Sequence, residues 1–379
     1  MTRIQDLHSP TALVDIERLD QNIADMATKA EENGVDLRPH IKTHKCIEIG
    51  KKQLEAGASG ITVSTLGEAY AFSKAGFKDI TYAVPLAPDK FNAIYDISKM
   101  TNLKVLIDNP YTVEILDKFS EKVSTQFVVM LKVDCGNHRC GVDPKKPEAL
   151  KLARKINEAS NLEFKGILAH AGHSYSTKSV GEIKEIALQE QGVMVQFADA
   201  LRTEDKDLAP EIVSIGSTPT TRIVESFMEG ITEIRPGNYV FFDYTQVALG
   251  SCELSNCAFT VQASVIGIYP DWVVIDAGAT ALSKDMGPTH IDKKSGYGQI
   301  ISDYQENKIA KDFIIHSLSQ EHGKIMTSDG NHLQIGDRVR IIPNHSCLTA
   351  NLYDHYFAVK GESVIDEWKI CRQRLEIKY

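Results

Sequence analysis

From Ala12 to Phe242, short apolar runs rich in valine and isoleucine alternate with longer segments of helical period, the pattern of successive βα units. Eight strands are predicted: Val35 to Lys42, Gly60 to Ser64, Ile80 to Val84, Leu103 to Ile107, Phe127 to Val133, Phe164 to His170, Glu211 to Ile215 and Thr232 to Arg235. Amphipathic stretches such as Leu19 to Glu32, Leu66 to Ala75 and Pro147 to Glu158 lie before or between them. Parallel strands buried on both faces read as near-continuous apolar runs, so the pattern predicts an α/β fold, a closed (β/α)8 TIM-like barrel. A doubly wound open sheet is the alternative.

After about Gly250 the texture changes. Ala258 to Ile268, Trp272 to Ile275, Arg338 to Ile342 and Tyr356 to Val359 alternate with turn signals such as Ser328-Asp329-Gly330-Asn331. The expected division is a barrel over residues 12–246 and a mainly β domain over residues 247–379, which residues 1–11 would join. A chain of 379 residues fits two such units better than one core.

Composition narrows the function. Apolar residues make up 42% and no run approaches the length of a membrane span, so no membrane role is expected. Residues 1–10 carry no basic segment followed by an apolar stretch, which makes the cytoplasm the default compartment. Seven scattered cysteines fit reduced thiols better than a disulfide framework. A net charge of -9 without a basic stripe argues against nucleic acid and favours a small-molecule substrate.

A barrel builds its active site at the C-terminal ends of its strands, and polar residues gather there in this sequence. The first strand ends in His40-Ile41-Lys42, the fifth runs into Asp134-Cys135-Gly136-Asn137-His138-Arg139, and the sixth into His170-Ala171-Gly172-His173-Ser174-Tyr175. The seventh gives Gly216-Ser217-Thr218-Pro219-Thr220 and the eighth Arg235-Pro236-Gly237-Asn238-Tyr239. Glycine and hydroxyl residues at that last pair of strands suit a phosphate held on backbone N–H groups, although Gly-Ser-Thr-Pro alone is also an ordinary turn and cap. Alternation along an extended segment would put His40, Lys42 and His44 on one side, with Lys45 opening the next helix. A lysine at such a strand end suits a Schiff base, whereas an arbitrary basic cluster is more often a solvated loop.

Taken together, Arg38-Pro39-His40-Ile41-Lys42-Thr43-His44-Lys45, Gly216-Ser217-Thr218-Pro219-Thr220, Glu233-Ile234-Arg235-Pro236-Gly237 and Pro343-Asn344-His345-Ser346-Cys347 resemble the D-serine dehydratase and D-threonine aldolase family. These are fold-type III pyridoxal enzymes related to alanine racemase, and the motifs run in order from residue 38 to residue 347. The resemblance implies pyridoxal 5'-phosphate on Lys42, a homodimer, and a D-amino acid substrate. It places Arg139 near the cofactor's phenolic oxygen, Tyr175 beside the cofactor, His170 against the ring and His40 among the cofactor residues. Gly216, Ser217, Thr218, Gly237 and Asn238 fall on its phosphate-loop positions.

His345 and Cys347 stand two residues apart, and an extended segment would direct both to one side. Spacing alone rarely marks a metal site, because buried cysteines and satisfied histidines are common. The resemblance puts the family's metal pair here, and nitrogen with sulfur favours zinc. Cys135 with Cys140 and Cys252 with Cys257 are poor candidates for a four-cysteine zinc site. Asp276, Asp354-His355 and Gln320-Glu321-His322-Gly323 also resemble family segments. Asp276 is expected to serve the β domain, and His322 is an intermediate case.

The activity implied is dehydration of a D-3-hydroxy amino acid to a 2-oxo acid and ammonia, with Lys42 as base and the metal drawing off the β-hydroxyl. Retro-aldol cleavage to glycine and an aldehyde is the alternative. Family members with His-x-Cys tend to be dehydratases and those with His-x-Asp aldolases. A racemase or a non-catalytic cofactor carrier is a further alternative, but the carriers lack a second domain.

Overall fold

The first strand of the chain, β1 (Thr11–Asp15), stands apart from the eight that follow. It is buried throughout and ends in Asp15, whose carboxylate accepts the Glu17 and Arg18 N–H groups and so starts helix α1 (Ile16–Glu32). In the computed structural model, which describes residues 2–327 and 332–371, the βα alternation then unfolds as the pattern predicts. The parallel strands are β2 (Asp36–Leu37), β3 (Ile61–Val63), β4 (Asp79–Pro85), β5 (Asn102–Ile107), β6 (Phe127–Lys132), β7 (Leu162–Leu168), β8 (Ile212–Ile215) and β9 (Glu233–Ile234).

Their order is β2-β9-β8-β7-β6-β5-β4-β3, and a parallel bridge from His40 to Thr62 joins the two ends of the row. The result is a (β/α)8 barrel. Helices α2 (Ile47–Glu55), α3 (Leu66–Lys74), α4 (Phe91–Ser98), α5 (Pro110–Val123), α6 (Pro147–Glu158), α7 (Val180–Glu204) and α8 (Thr218–Ile223) connect the strands. Side-chain caps start several of them: Thr65 for α3, Asn109 for α5, Ser179 for α7 and Ser217 for α8.

The N-terminal end of the barrel is closed by buried charge. Arg38 pairs with Glu233 at 2.5 Å and with Asp79 at 2.6 Å, and Lys104 reaches the same Asp79 oxygen at 2.5 Å. Such a network belongs to the stability face of a barrel, leaving the opposite face for chemistry.

After the short helix α9 (Tyr244–Ala248) the chain becomes mainly β. Strands β10 (Phe259–Ile268), β11 (Trp272–Ile275), β12 (Gln299–Asp303), β13 (Lys308–Leu318), β14 (Gly323–Thr327) and β15 (Arg338–Ile342) close a ring in the order β10-β11-β14-β13-β12-β15. β16 (His355–Lys360) and β17 (Ser363–Lys369) extend it through β1, which pairs antiparallel with β10 and parallel with β16. Two short helices interrupt this domain, α10 (Ala279–Leu282) and α11 (Ser346–Ala350). The Ser328 to Asn331 turn signal lies outside the described residues.

Two local expectations fail. Beyond β2 the chain is not extended, because Ile41–Thr43 form a 3-10 turn, Lys45 is left-handed at φ 50° and α2 begins only at Ile47. His40, Lys42 and His44 therefore do not lie on one side of an extended segment, and His44 is fully buried. Likewise His345-Ser346-Cys347 is not a strand but the N-cap and first turn of α11. In both places local hydrogen bonds of a helical turn replace the sheet pairing that a short sequence window cannot exclude.

Candidate active site

At the mouth of the barrel, α11 reaches the turn after β2 through Cys347 and Thr43 and the loop after β9 through Ser346 and Asn238. Lys42 is half-buried there, and its charge acts on His40, His170 and Cys347. Burial, then Lys42, holds both His40 and His170 well below the ordinary imidazole range, so both rings are neutral. His170 donates from Nδ1 to the Gly216 carbonyl at 2.9 Å, and the Lys42 N–H points at His40 Nδ1 at 3.5 Å. The lysine thus stands beside two neutral rings at the C-terminal end of the barrel.

The loops after β8 and β9 differ in what they offer. Gly216 gives its N–H to the buried Glu190 carboxylate at 3.1 Å, and its carbonyl is taken by His170. Ser217 is buried, caps α8 and bonds Ser174 at 2.9 Å, while Thr218 bonds the Tyr175 hydroxyl and accepts from the Tyr239 N–H at 3.1 Å. Gly237 and Asn238, by contrast, have N–H groups with no protein acceptor among the described residues. A Cβ on Gly237 would lie 2.9 Å from the His40 carbonyl oxygen, so only glycine brings this peptide against the turn that carries Lys42. A lysine among neutral rings beside free backbone donors fits an aldehyde cofactor bearing a phosphate.

Tyr175 is half-buried, and burial, then Cys347 and Asp243, raises its phenol. Arg139 is exposed on the loop after β6, yet its charge acts on His170. The side chain of Asn238 turns from the loop toward α11: its amide donates to Asp243 at 2.6 Å, to Ser346 at 2.9 Å and toward the Cys347 sulfur at 3.7 Å.

His345 and Cys347 do meet. The Cys347 thiol and the His345 imidazole act on each other electrostatically, and the thiol lies 3.2 Å from Thr43 Oγ1. Burial pushes the thiol up, but His345 outweighs it and holds Cys347 below the usual thiol range. Burial likewise opposes a charge on His345, and Asp285, then Cys347, raises that ring well above its ordinary value. Nδ1 of His345 sits 3.0 Å from Asp285 Oδ2. An imidazole backed by a carboxylate beside an acidified thiol is a donor set that fits a divalent metal. Among the described residues no group of three or more such side chains converges, so a metal here would keep open positions.

Asp285, Glu190 and Asp243 had no signal in the sequence, and Thr43 lies in the quoted motif without being singled out. Asp285 lies 60 positions before His345, and Glu190 sits on the buried face of α7, where the pattern reads only as helix. The remaining candidates have other work. Asp276 binds the Ser264 N–H at 2.8 Å and the Ser9 hydroxyl at 2.5 Å, and His322 is exposed in the turn between β13 and β14. Cys252 and Cys257 are free thiols that act on each other, and among the described residues they form no metal-type cluster with Cys135 or Cys140.

Comparison with known proteins agrees with this architecture. Residues 14–245 match the family described as "Alanine racemase, N-terminal domain", and residues 258–359 the "Putative serine dehydratase domain". The D-serine dehydratase of Dictyostelium discoideum is 37% identical, with 96% of each chain covered. D-threo-3-hydroxyaspartate dehydratase of Delftia sp. is 35% identical over 96% of this chain and 97% of that one. Its solved structure superposes with a TM-score of 0.92, covering 98% of this chain and 99% of that one at 33% identity. D-threonine aldolase from Filomicrobium marinum follows at a TM-score of 0.86 and 25% identity, covering 97% and 96%. Motifs, barrel, second domain and whole-length relatives agree, and the chain belongs to the D-serine dehydratase and D-threonine aldolase family.

Proposed function

We propose that the chain is a pyridoxal-phosphate and metal-dependent lyase that dehydrates a D-3-hydroxy amino acid to a 2-oxo acid and ammonia. The observation that carries this reading is the pairing of Cys347 with His345 within reach of the Lys42 turn, which joins an amine and a metal-type donor pair in one site. Relatives named D-serine dehydratase and D-threo-3-hydroxyaspartate dehydratase support it.

When bound, the pyridoxal ring supplies an electron sink and the metal, zinc by its donor set, a Lewis acid. Lys42 would hold the cofactor covalently, and the Gly237 and Asn238 N–H groups would receive its phosphate. His170, fixed by the Gly216 carbonyl, would border the ring as a neutral group, and His40 supports the Lys42 turn. Lys42 would also be the base for the Cα proton, standing beside the neutral His40 and His170 rings. Tyr175 and Arg139 line the same mouth. His345 and Cys347 would hold the metal, whose Lewis acidity would serve a β-hydroxyl.

Retro-aldol cleavage uses the same parts, and a relative named D-threonine aldolase keeps it as the second reading. The test is one screen: purified protein with pyridoxal phosphate and zinc is given D-serine, D-threonine and D-threo-3-hydroxyaspartate, and products are identified. We expect 2-oxo acid and ammonia. Glycine with an aldehyde would make it an aldolase, and no turnover of any D-3-hydroxy amino acid would reject the lyase reading. Borohydride reduction in the same preparation should fix the cofactor on the peptide containing Lys42.

We assign the barrel to residues 12–246 and the second domain to residues 247–379, with β1 completing the second sheet from the N-terminal side. All seven cysteines are free thiols, which supports a reducing, cytoplasmic setting, and no helix among the described residues is long and apolar enough to cross a membrane. Met286 and Leu348, 51% and 47% exposed beside Asp285 and Cys347, support a homodimer that covers the mouth of the site.

A further inference from the structure

We propose that Asp285 is the positioning residue of the metal pair: it holds the His345 ring by Nδ1 and leaves Nε2 as the donor beside Cys347. The inference rests on reading His345 and Cys347 as the metal pair.

The carboxylate is itself held at both oxygens. Oδ1 accepts the Gly287 N–H at 2.7 Å, and Oδ2 faces His345 Nδ1 at 3.0 Å. The loop bearing it, between α10 and β12, is clamped by the residue before His345. Asn344 donates from Nδ2 to the Gly296 carbonyl at 2.8 Å and to the Asp285 carbonyl at 3.3 Å. Gly287 is left-handed at φ 60°, and a Cβ there would come within 2.6 Å of Asn344 Cβ, so glycine is what lets the loop press this close.

The neighbouring carboxylate cannot do this work. Asp243 spends Oδ2 on the Ser346 N–H at 2.9 Å and the Asn238 amide at 2.6 Å, and Oδ1 on the Gln246 N–H at 3.1 Å. Asp243 sets the backbone of α11, whereas Asp285 contacts the ring. A carboxylate on one imidazole nitrogen fixes the tautomer and orientation of the ring and raises the basicity of the other nitrogen. With two protein ligands, the site depends on that orientation more than a four-ligand site would.

The test titrates cobalt(II) into metal-free, pyridoxal-phosphate-loaded protein and follows its visible absorption, for native protein, Asp285→Ala, Asp285→Asn and His345→Ala. We expect the cobalt dissociation constant to rise about 10–100-fold in Asp285→Ala and several-fold in Asp285→Asn, which keeps an acceptor without its charge. The thiolate-to-cobalt band of Cys347 should survive at saturating metal in both, and the cofactor titration should not move. Unchanged cobalt affinity in Asp285→Ala, with affinity lost in His345→Ala, overturns the role of Asp285 alone. Unchanged affinity in His345→Ala overturns the metal pair, and this proposal with it. If Asp285→Ala loses its native circular dichroism, the isosteric Asp285→Asn decides: a weaker site supports the assignment, an unchanged one rejects it.

Discussion

His44, two residues beyond Lys42, has no exposed surface, and burial holds its imidazole down to about 3 from an ordinary 6.5. Well above pH 6.5 the ring is neutral in both folded and unfolded chains. As the pH falls toward 3, only the unfolded chain takes up the proton, so the folded state loses up to about 1.4 kcal/mol per pH unit from this group. His40 and His170 are depressed in the same direction, and they add to the acid limb. We expect urea denaturation between pH 6.5 and pH 5 to show stability falling with acid, and the slope to be shallower in His44→Gln. An unchanged slope would remove His44 from the acid limb. The basic octapeptide seen in the sequence is thus less basic than it looks: Arg38 is locked in a buried ion pair, and its two histidines are neutral.

At the scale of elements, the turns that replace extended chain do the positioning. The 3-10 turn at Ile41–Thr43 brings Thr43 to Cys347, and the cap of α11 brings His345 to Asp285. Gly237 holds the β9 loop against the first of these turns. In Gly237→Ala the new Cβ would meet the His40 carbonyl, a backbone atom that cannot swing away. We expect overpacking to cost about 1–3 kcal/mol, read as a lower Tm and an approximately tenfold weaker pyridoxal-phosphate titration. Native cofactor affinity in this variant would show that the β9 loop does not cradle the phosphate. The first barrel strand, expected to run to Lys42, ends at Leu37, whereas the other seven of the eight were legible to within about two residues because they are apolar and buried on both sides. The β12, β13, β14 and β17 strands were not, since a half-exposed antiparallel strand with bulges breaks the alternation that would announce it.

For the whole molecule, the junction of the two sheets is aromatic. Phe241 follows β9, Phe259 opens β10 and Tyr356 lies in β16; all are fully buried, with ring centroids 5.2 to 5.9 Å apart. The Tyr356 hydroxyl donates to the His44 carbonyl at 2.8 Å, so the same side chain ties the second domain to the turn after Lys42. Tyr356→Ala should cost about 3–5 kcal/mol and Tyr356→Phe about 1 kcal/mol, both measured by chemical denaturation. If Tyr356→Ala lowers the stability of the second sheet alone, as separate transitions by fluorescence and circular dichroism, the two parts do not share one core. What the sequence by itself determined is the βα alternation, the change of texture after Gly250 and the motif set that marks the family, because each depends on residues near one another in the chain. Only the tertiary structure decided that Asp285 meets His345, that Glu190 takes the Gly216 N–H and that β1 pairs with β10 in the second sheet. Those contacts join positions 26 to 251 residues apart, and a polar residue at such a distance leaves no periodic trace of its partner.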